Sequence, residues 1–187
     1  MRLCVFCGSK SGNKDEYRIA ATTVGAALAR RGVELVYGGG QVGLMGVVAD
    51  ACLANGGKVI GVIPRDLSQR EIMHHGLTTL EVVETMHQRK ARMAELSDAF
   101  LAIPGGYGTL DELFEITTWA QLRLHHKPIG LLNIDGFFTA LIAWMDHALA
   151  EGFLHDRHRR LVDVDHRPND LLDRLLQRAA DQPAGHG

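Results

Sequence analysis

No apolar run in this sequence approaches the ~20 residues that a bilayer-spanning helix needs; stretches such as Leu3 to Phe6 and Ala99 to Ile103 are far shorter. Met1-Arg2 leads straight into a strand-like segment, so the expectation is a soluble cytoplasmic protein without a secretion signal. Cysteine is scarce. Three residues, an odd number, argue against a disulfide framework. Cys4 and Cys7 form a C-x-x-C, but no second pair completes a zinc site, and both read as reduced thiols around a strand end. A surplus of charge is missing too: 20 basic and 22 acidic residues leave a formal net charge of -2. That balance exerts no global pull toward nucleic acid or an anionic membrane, so any phosphate binding has to be local. The ten histidines, among them His74-His75, His125-His126, His155, His158 and His166, form no H-E-x-x-H pair. Neither a metal nor a resident cofactor is expected. Internal repeats and linker-like breaks are also lacking.

What is present is an alternation of short apolar or β-branched runs with longer amphipathic stretches, the pattern of a parallel sheet covered by helices. Expected strands are Leu3 to Phe6, Glu34 to Tyr37, Lys58 to Ile63, Thr79 to Val83, Ala99 to Ile103 and Ile129 to Asn133. Expected helices are Glu16 to Arg30, Leu44 to Ala54, Met86 to Leu96, Leu110 to Gln121 and Phe137 to Glu151, with a last one from Asn169 or Asp170 through Gln177. The apolar helix carrying Trp144 is assigned to the core rather than to an interface. At 187 residues the chain suits one α/β domain, residues 1–180, built as a doubly wound parallel sheet with helices on both faces; residues 181–187 are expected to be a disordered tail.

Ligands of open parallel sheets sit beyond the carboxyl ends of the strands, and three of those ends are glycine-rich. The first strand ends in Cys7-Gly8-Ser9. The second runs into Gly38 to Gly46, with Gly39, Gly40, Gly43 and Met45 as candidate contacts, and the fifth into Pro104-Gly105-Gly106-Tyr107-Gly108-Thr109. Glycine lets backbone N–H groups approach an anion, and a helix start favours negative charge, so a monophosphate is the natural occupant. The middle loop matches G-x-G-x-x-G and keeps a nicotinamide-dependent oxidoreductase open as a reading, although it follows the second strand and lacks the acidic residue at the next strand end. Beside the loops stand Arg89, with Met86 and Met93 as neighbours on its helix, and Glu112, expected in the first turn of a helix beginning near Leu110. A carboxylate beside a phosphorylated ligand makes sense where positive charge develops, as in cleavage of a glycosidic bond.

Met86-His87-Gln88-Arg89-Lys90 followed by Pro104-Gly105-Gly106-Tyr107-Gly108-Thr109-Leu110-Asp111-Glu112 resembles the signature of the Lonely Guy family of cytokinin-activating phosphoribohydrolases. The resemblance takes in Cys7-Gly8-Ser9, the Gly38 to Gly46 loop, Thr118-Trp119-Ala120-Gln121 and Lys127 to Asn133, and covers roughly Leu3 to Leu176. It implies a Rossmann-like fold, a homodimer, and hydrolysis of N6-substituted adenosine 5′-monophosphates, and often AMP, to free base and ribose 5-phosphate. It also implies that Arg89 and Glu112 are the catalytic pair and that Glu71, Lys90, Gly106 to Thr109 and Thr118 contact the nucleotide. Asp111 stands where many members carry Glu. Lysine decarboxylase, a label often attached to members, is discounted because no pyridoxal-phosphate lysine is identifiable. On this reading an ionised Glu112 stabilises the ribosyl cation and activates water, while Arg89 either holds the nucleotide or stabilises charge on the departing base. The alternative is a non-catalytic Rossmann module that carries a nucleotide or cofactor without cutting it.

Overall fold

The computed structural model describes residues 1–68 and 73–182. Among these, seven strands form one sheet: β1 (Arg2–Phe6), β2 (Glu34–Tyr37), β3 (Val59–Pro64), β4 (Thr79–Val83), β5 (Ala99–Ala102), β6 (Ile129–Leu132) and β7 (Val162–Asp165). The helices between and after them are α1 (Asp15–Arg30), α2 (Gly43–Ala54), α3 (Arg65–Ser68), α4 (Met86–Leu96), α5 (Tyr107–Gln121), α6 (Thr139–Ala150), α7 (Asp156–Arg159) and α8 (Pro168–Ala180). The spatial order is β4-β3-β2-β1-β5-β6-β7, with every neighbouring pair parallel. Strand order therefore reverses between β1 and β5, which opens a crevice at their carboxyl ends.

Successive side chains on a strand point to opposite faces, and the central strands are apolar on both because both are covered. Leu3, Val5, Leu35 and Leu101 pack beneath α1, α2 and α8, while Cys4, Phe6, Val36 and Phe100 pack beneath α4, α5 and α6. On the first face α1 and α2 lie close together because Gly25 has no side chain. A Cβ there would stand 2.3 Å from the Val48 carbonyl oxygen.

The six expected strands fall within one residue of the observed bounds. β7 was not expected. Its Val162-Asp163-Val164-Asp165 alternates apolar and acidic residues, as an edge strand can, and its carboxylates are met by α8: Asp165 pairs with Arg174 at 2.8 Å and Asp163 with Arg178. At the opposite edge, Glu81 of β4 receives Arg92 Nε at 2.7 Å and Nη2 at 3.1 Å.

Three helix expectations need correction. α5 starts at Tyr107 rather than near Leu110, because the chain turns helical directly after Gly106; Glu112 accordingly lies in its second turn. The last helix runs from Pro168 to Ala180, with proline in its first turn where the missing N–H costs nothing. Trp144 is not a core residue. It is 53% exposed, touching Phe114 edge-on at 5.8 Å, because α6 buries only Met145 and Ala148. In the expected tail, Asp181 N–H donates to Gln177 O and the Gln182 amide to the His126 carbonyl, while residues 183–187 lie outside the described residues. No helix among the described residues is long and apolar enough to cross a membrane.

Replacing Gly25 with alanine forces α1 off α2 and should cost about 1–3 kcal/mol. A urea unfolding midpoint equal to that of the wild type would contradict this account of the α1–α2 contact.

Candidate active site

The crevice holds a cavity of about 370 Å³. Its floor is the end of β1, where Val5, Cys7, Gly8 and Ser9 face it. The loops after β1 and β5 are stitched side by side, Gly8 N–H donating to Pro104 O at 3.1 Å and Ile103 N–H to Phe6 O at 3.0 Å. On one side stands the start of α5, Gly106 to Thr109, with Glu112 one turn further along. Gly106 caps this helix without a side-chain hydrogen bond, so its first N–H groups have no intrahelical partner. Thr109 Oγ1 is buried and makes no hydrogen bond among the described residues. Free N–H groups, a helix dipole and an idle hydroxyl are together able to seat an anion.

On the other side are Gly38, Gly40, Met45, Ile63, Leu67 and Arg89. Arg89 comes from the first turn of α4, which Thr85 caps by accepting from Gln88 N–H. Its guanidinium is spread over backbone: Nε donates to Val62 O at 3.1 Å and Nη2 to Gly38 O at 3.3 Å. Glycine at 38 leaves the guanidinium its place, since a Cβ there would lie 1.8 Å from Arg89 Nη2 and push it aside. Met86 Sδ stands 3.8 Å from Nη1.

Arg89 Nη2 and Glu112 Oε1 are 3.8 Å apart, with both side chains 11% exposed. At that separation they attract without a hydrogen bond. Burial pushes the Glu112 carboxyl up to about 7, against the opposing pull of Arg89 and Lys90 and with help from Asp111 and Glu115. The same burial, with Glu112 nearby, holds Cys7 as a neutral thiol with a raised pKa. An acid and a guanidinium thus converge from different helices beside an anion seat.

Of the residues singled out in the sequence, Ser9, Gly40, Met45, Arg89, Gly106, Tyr107, Gly108, Thr109 and Glu112 line the cavity. Gly39, Gly43 and Gly105 stand in the same loops behind its surface; Gly43 backs onto the Ser9 backbone, and Gly105 lies against Thr109 Oγ1 and Gly8 N. Lys90 turns away to Asp111 and Glu115, at 3.0 and 3.1 Å. Thr118 is exposed, nine residues beyond Thr109 on α5 and so about 13 Å along the axis, and it does not reach this cavity. Glu71 lies outside the described residues. Val5, Ile63 and Leu67 were not foreseen; the position of Ile63 at a strand end was the available signal for one of them, and nothing in the sequence marked Leu67.

Residues 45–175 match a family model described as possible lysine decarboxylase. A probable cytokinin riboside 5′-monophosphate phosphoribohydrolase of Oryza sativa subsp. japonica is 52% identical over 174 residues, 93% of this chain and 71% of that protein. A cytokinin riboside 5′-monophosphate phosphoribohydrolase of Arabidopsis thaliana is likewise 52% identical, over 93% of this chain and 80% of its own length. Among solved structures, the molybdenum cofactor binding protein of the phototrophic bacterium Rippkaea orientalis superposes with a TM-score of 0.72 at 20% identity, over 95% of this chain and 96% of that one. The molybdenum cofactor carrier protein of Chlamydomonas reinhardtii gives 0.71 at 18% identity, over 97% and 98%. At such identities the last two establish a shared Rossmann-like fold. The extent of the family match and the half-identical relatives establish more: the chain belongs to the Lonely Guy family, whose model carries the lysine decarboxylase description.

Proposed function

We propose that this protein hydrolyses the N-glycosidic bond of N6-substituted adenosine 5′-monophosphates, and of AMP, releasing the free base and ribose 5-phosphate. The observation that carries the reading is the placement of Glu112 between the anion seat of α5 and the Arg89 guanidinium. Thr109 and Glu112 are three residues apart on one helix face, so a 5′-phosphate held at Thr109 leaves the ribose over the carboxylate and the base toward Arg89, Ile63 and Leu67. The bond from C1′ to the base breaks with its electron pair leaving on the base, while a water oxygen bonds to C1′ and gives one proton to Glu112, which then passes it through solvent to the departing base nitrogen and is restored to its ionised form. Negative charge on Glu112 stabilises the positive ribosyl centre, and the permanent charge of Arg89 stabilises the departing base. Phosphate binding away from the reacting bond orients it.

The names of the half-identical relatives support the same substrate class. Lys90 is held by two carboxylates and faces away from the cavity, which disfavours Schiff-base chemistry. Free thiols at Cys4, Cys7 and Cys52 suit a reducing compartment, and we place the enzyme in the cytoplasm. We also propose that it works as a homodimer. Leu122, Leu124, Trp144 and Phe153 are 53% to 85% exposed on and beside α5 and α6, and a second copy seated there is the arrangement that gives Thr118, exposed on α5, a route to a nucleotide.

Incubation with AMP and its N6-isopentenyl analogue should release base and ribose 5-phosphate in equal amounts. Glu112→Gln should cut turnover by about a hundredfold or more, the usual loss for a preorganised electrostatic group. Near-normal turnover in that variant removes Glu112 from the mechanism, and tight nucleotide binding without release of base points instead to a carrier.

Because the Glu112 pKa is raised, its active, ionised form gains population as pH rises through about 7. The kcat/KM profile should therefore climb to a plateau above that pH, as distinct from substrate phosphate ionisation near 6. A profile flat from pH 6 to 9 contradicts the assignment.

In size-exclusion chromatography the protein should elute as a dimer and the double variant Leu124→Glu, Trp144→Glu as a monomer. A monomeric wild type rules the dimer out.

A further inference from the structure

One polar cluster around a buried histidine stands outside the cavity and supplies no group that touches the reacting atoms. His74, between β3 and β4, is 5% exposed. Its Nδ1 accepts from Gly76 N–H at 3.0 Å, which leaves the ring proton on Nε2 to be donated to Asp50 Oδ1 of α2 at 2.9 Å. Its backbone N–H donates to Gly39 O at 2.9 Å, and the preceding Met73 forms an isolated antiparallel bridge with Gly40. From inside, the buried Tyr37 hydroxyl donates to Gly40 O at 3.1 Å.

These ties hold a segment with little stiffness of its own. Gly38-Gly39-Gly40 carries no side chain, and Gly39 sits at φ +74, so its shape is imposed by what it bonds to. That shape reaches the chemistry directly. Gly38 O receives Arg89 Nη2, and the guanidinium lies where a side chain at 38 would be. A loop released from its outer mooring shifts the seat of Arg89, and with it the 3.8 Å gap to Glu112.

We propose that His74 and Asp50 are positioning residues for the hydrolysis: they moor the glycine loop after β2 to α2 and thereby fix where Arg89 stands against Glu112. The inference rests on the hydrolytic reading of the site. Neither residue lines the cavity. The anion seat belongs to α5, a different element, so loss of the mooring acts on turnover more than on nucleotide binding.

The test is steady-state kinetics with AMP. His74→Ala should lower kcat by about tenfold, the scale of one lost hydrogen bond, with KM within about twofold. The Asp50 side chain is 68% exposed, so Asp50→Ala leaves packing intact and should lower kcat about threefold, whereas Asp50→Asn keeps an acceptor and restores it. In an Arg89→Ala background, with residual turnover read at high enzyme concentration, the same changes should cost less than about twofold, because their effect passes through the missing guanidinium. Equal losses in both backgrounds, or wild-type kcat in His74→Ala and Asp50→Ala, overturn the proposal. Should His74→Ala fail to fold, Asp50→Ala and Asp50→Asn decide it. A wild-type chain that releases no base overturns the hydrolytic reading and this one together; active wild type, crippled Arg89→Ala and silent His74 and Asp50 variants overturn this one alone.

Discussion

The reversal of strand order between β1 and β5 is the constraint from which the site follows. Helices leaving these two neighbouring strands depart to opposite faces, α1 to one and α5 to the other, and the gap between them cannot be filled by either. The register that sets Phe6 beside Ala102 brings the two strand ends level, so their loops run together and share backbone hydrogen bonds. With no room for side chains there, the loops are built of small residues, and the start of α5 is left facing the gap. The suitability of this place for an anion is a product of topology before it is a product of any one residue.

Within that gap the electrostatics are deliberately incomplete. Arg89 places two of its five donors on the carbonyls of Val62 and Gly38 and none on the carboxylate beside it. Glu112 is left buried, near a cation but not bonded to it, and its pKa rises. A tight bidentate pair would neutralise both groups and leave neither available to a substrate. Here the carboxylate has unspent capacity to interact with a positive centre, which is the property that a glycosidic cleavage calls on.

Much of this was legible in the residues because the periodicities are strong. The central strands are short apolar runs between glycine-rich punctuation, and Met86 to Leu96 is bounded by a Thr85 cap and the extended Ser97. The edge was harder: Val162 to Asp165 has charge at alternate positions, and its strand character depends on arginines of α8 that no local pattern reveals. The expected helix start near Leu110 puts Glu112 one turn too early, because glycine at 106 and 108 reads as loop while the helix already begins at Tyr107, with only Thr109 of that turn buried. The loops and both charged residues of the site could be found from strand ends and from motif resemblance. Leu67 could not, since its place on the cavity wall comes from a short helix whose orientation is set by packing. Lys90 shows what adjacency in sequence leaves out: next to Arg89, it points a third of a helical turn away and pairs with Asp111 and Glu115.

The paired carboxylates on the two outermost strands have a bearing beyond this fold's own cohesion. An open parallel sheet presents unpaired N–H and C=O groups along both borders, a template on which foreign strands could accumulate. Glu81 on β4 is gripped by Arg92, and Asp163 and Asp165 on β7 by Arg178 and Arg174. A strand docking on either border would have to dehydrate these ion pairs or pull them apart, so the arginines that hold the carboxylates also help to keep the sheet from growing edge to edge into aggregates.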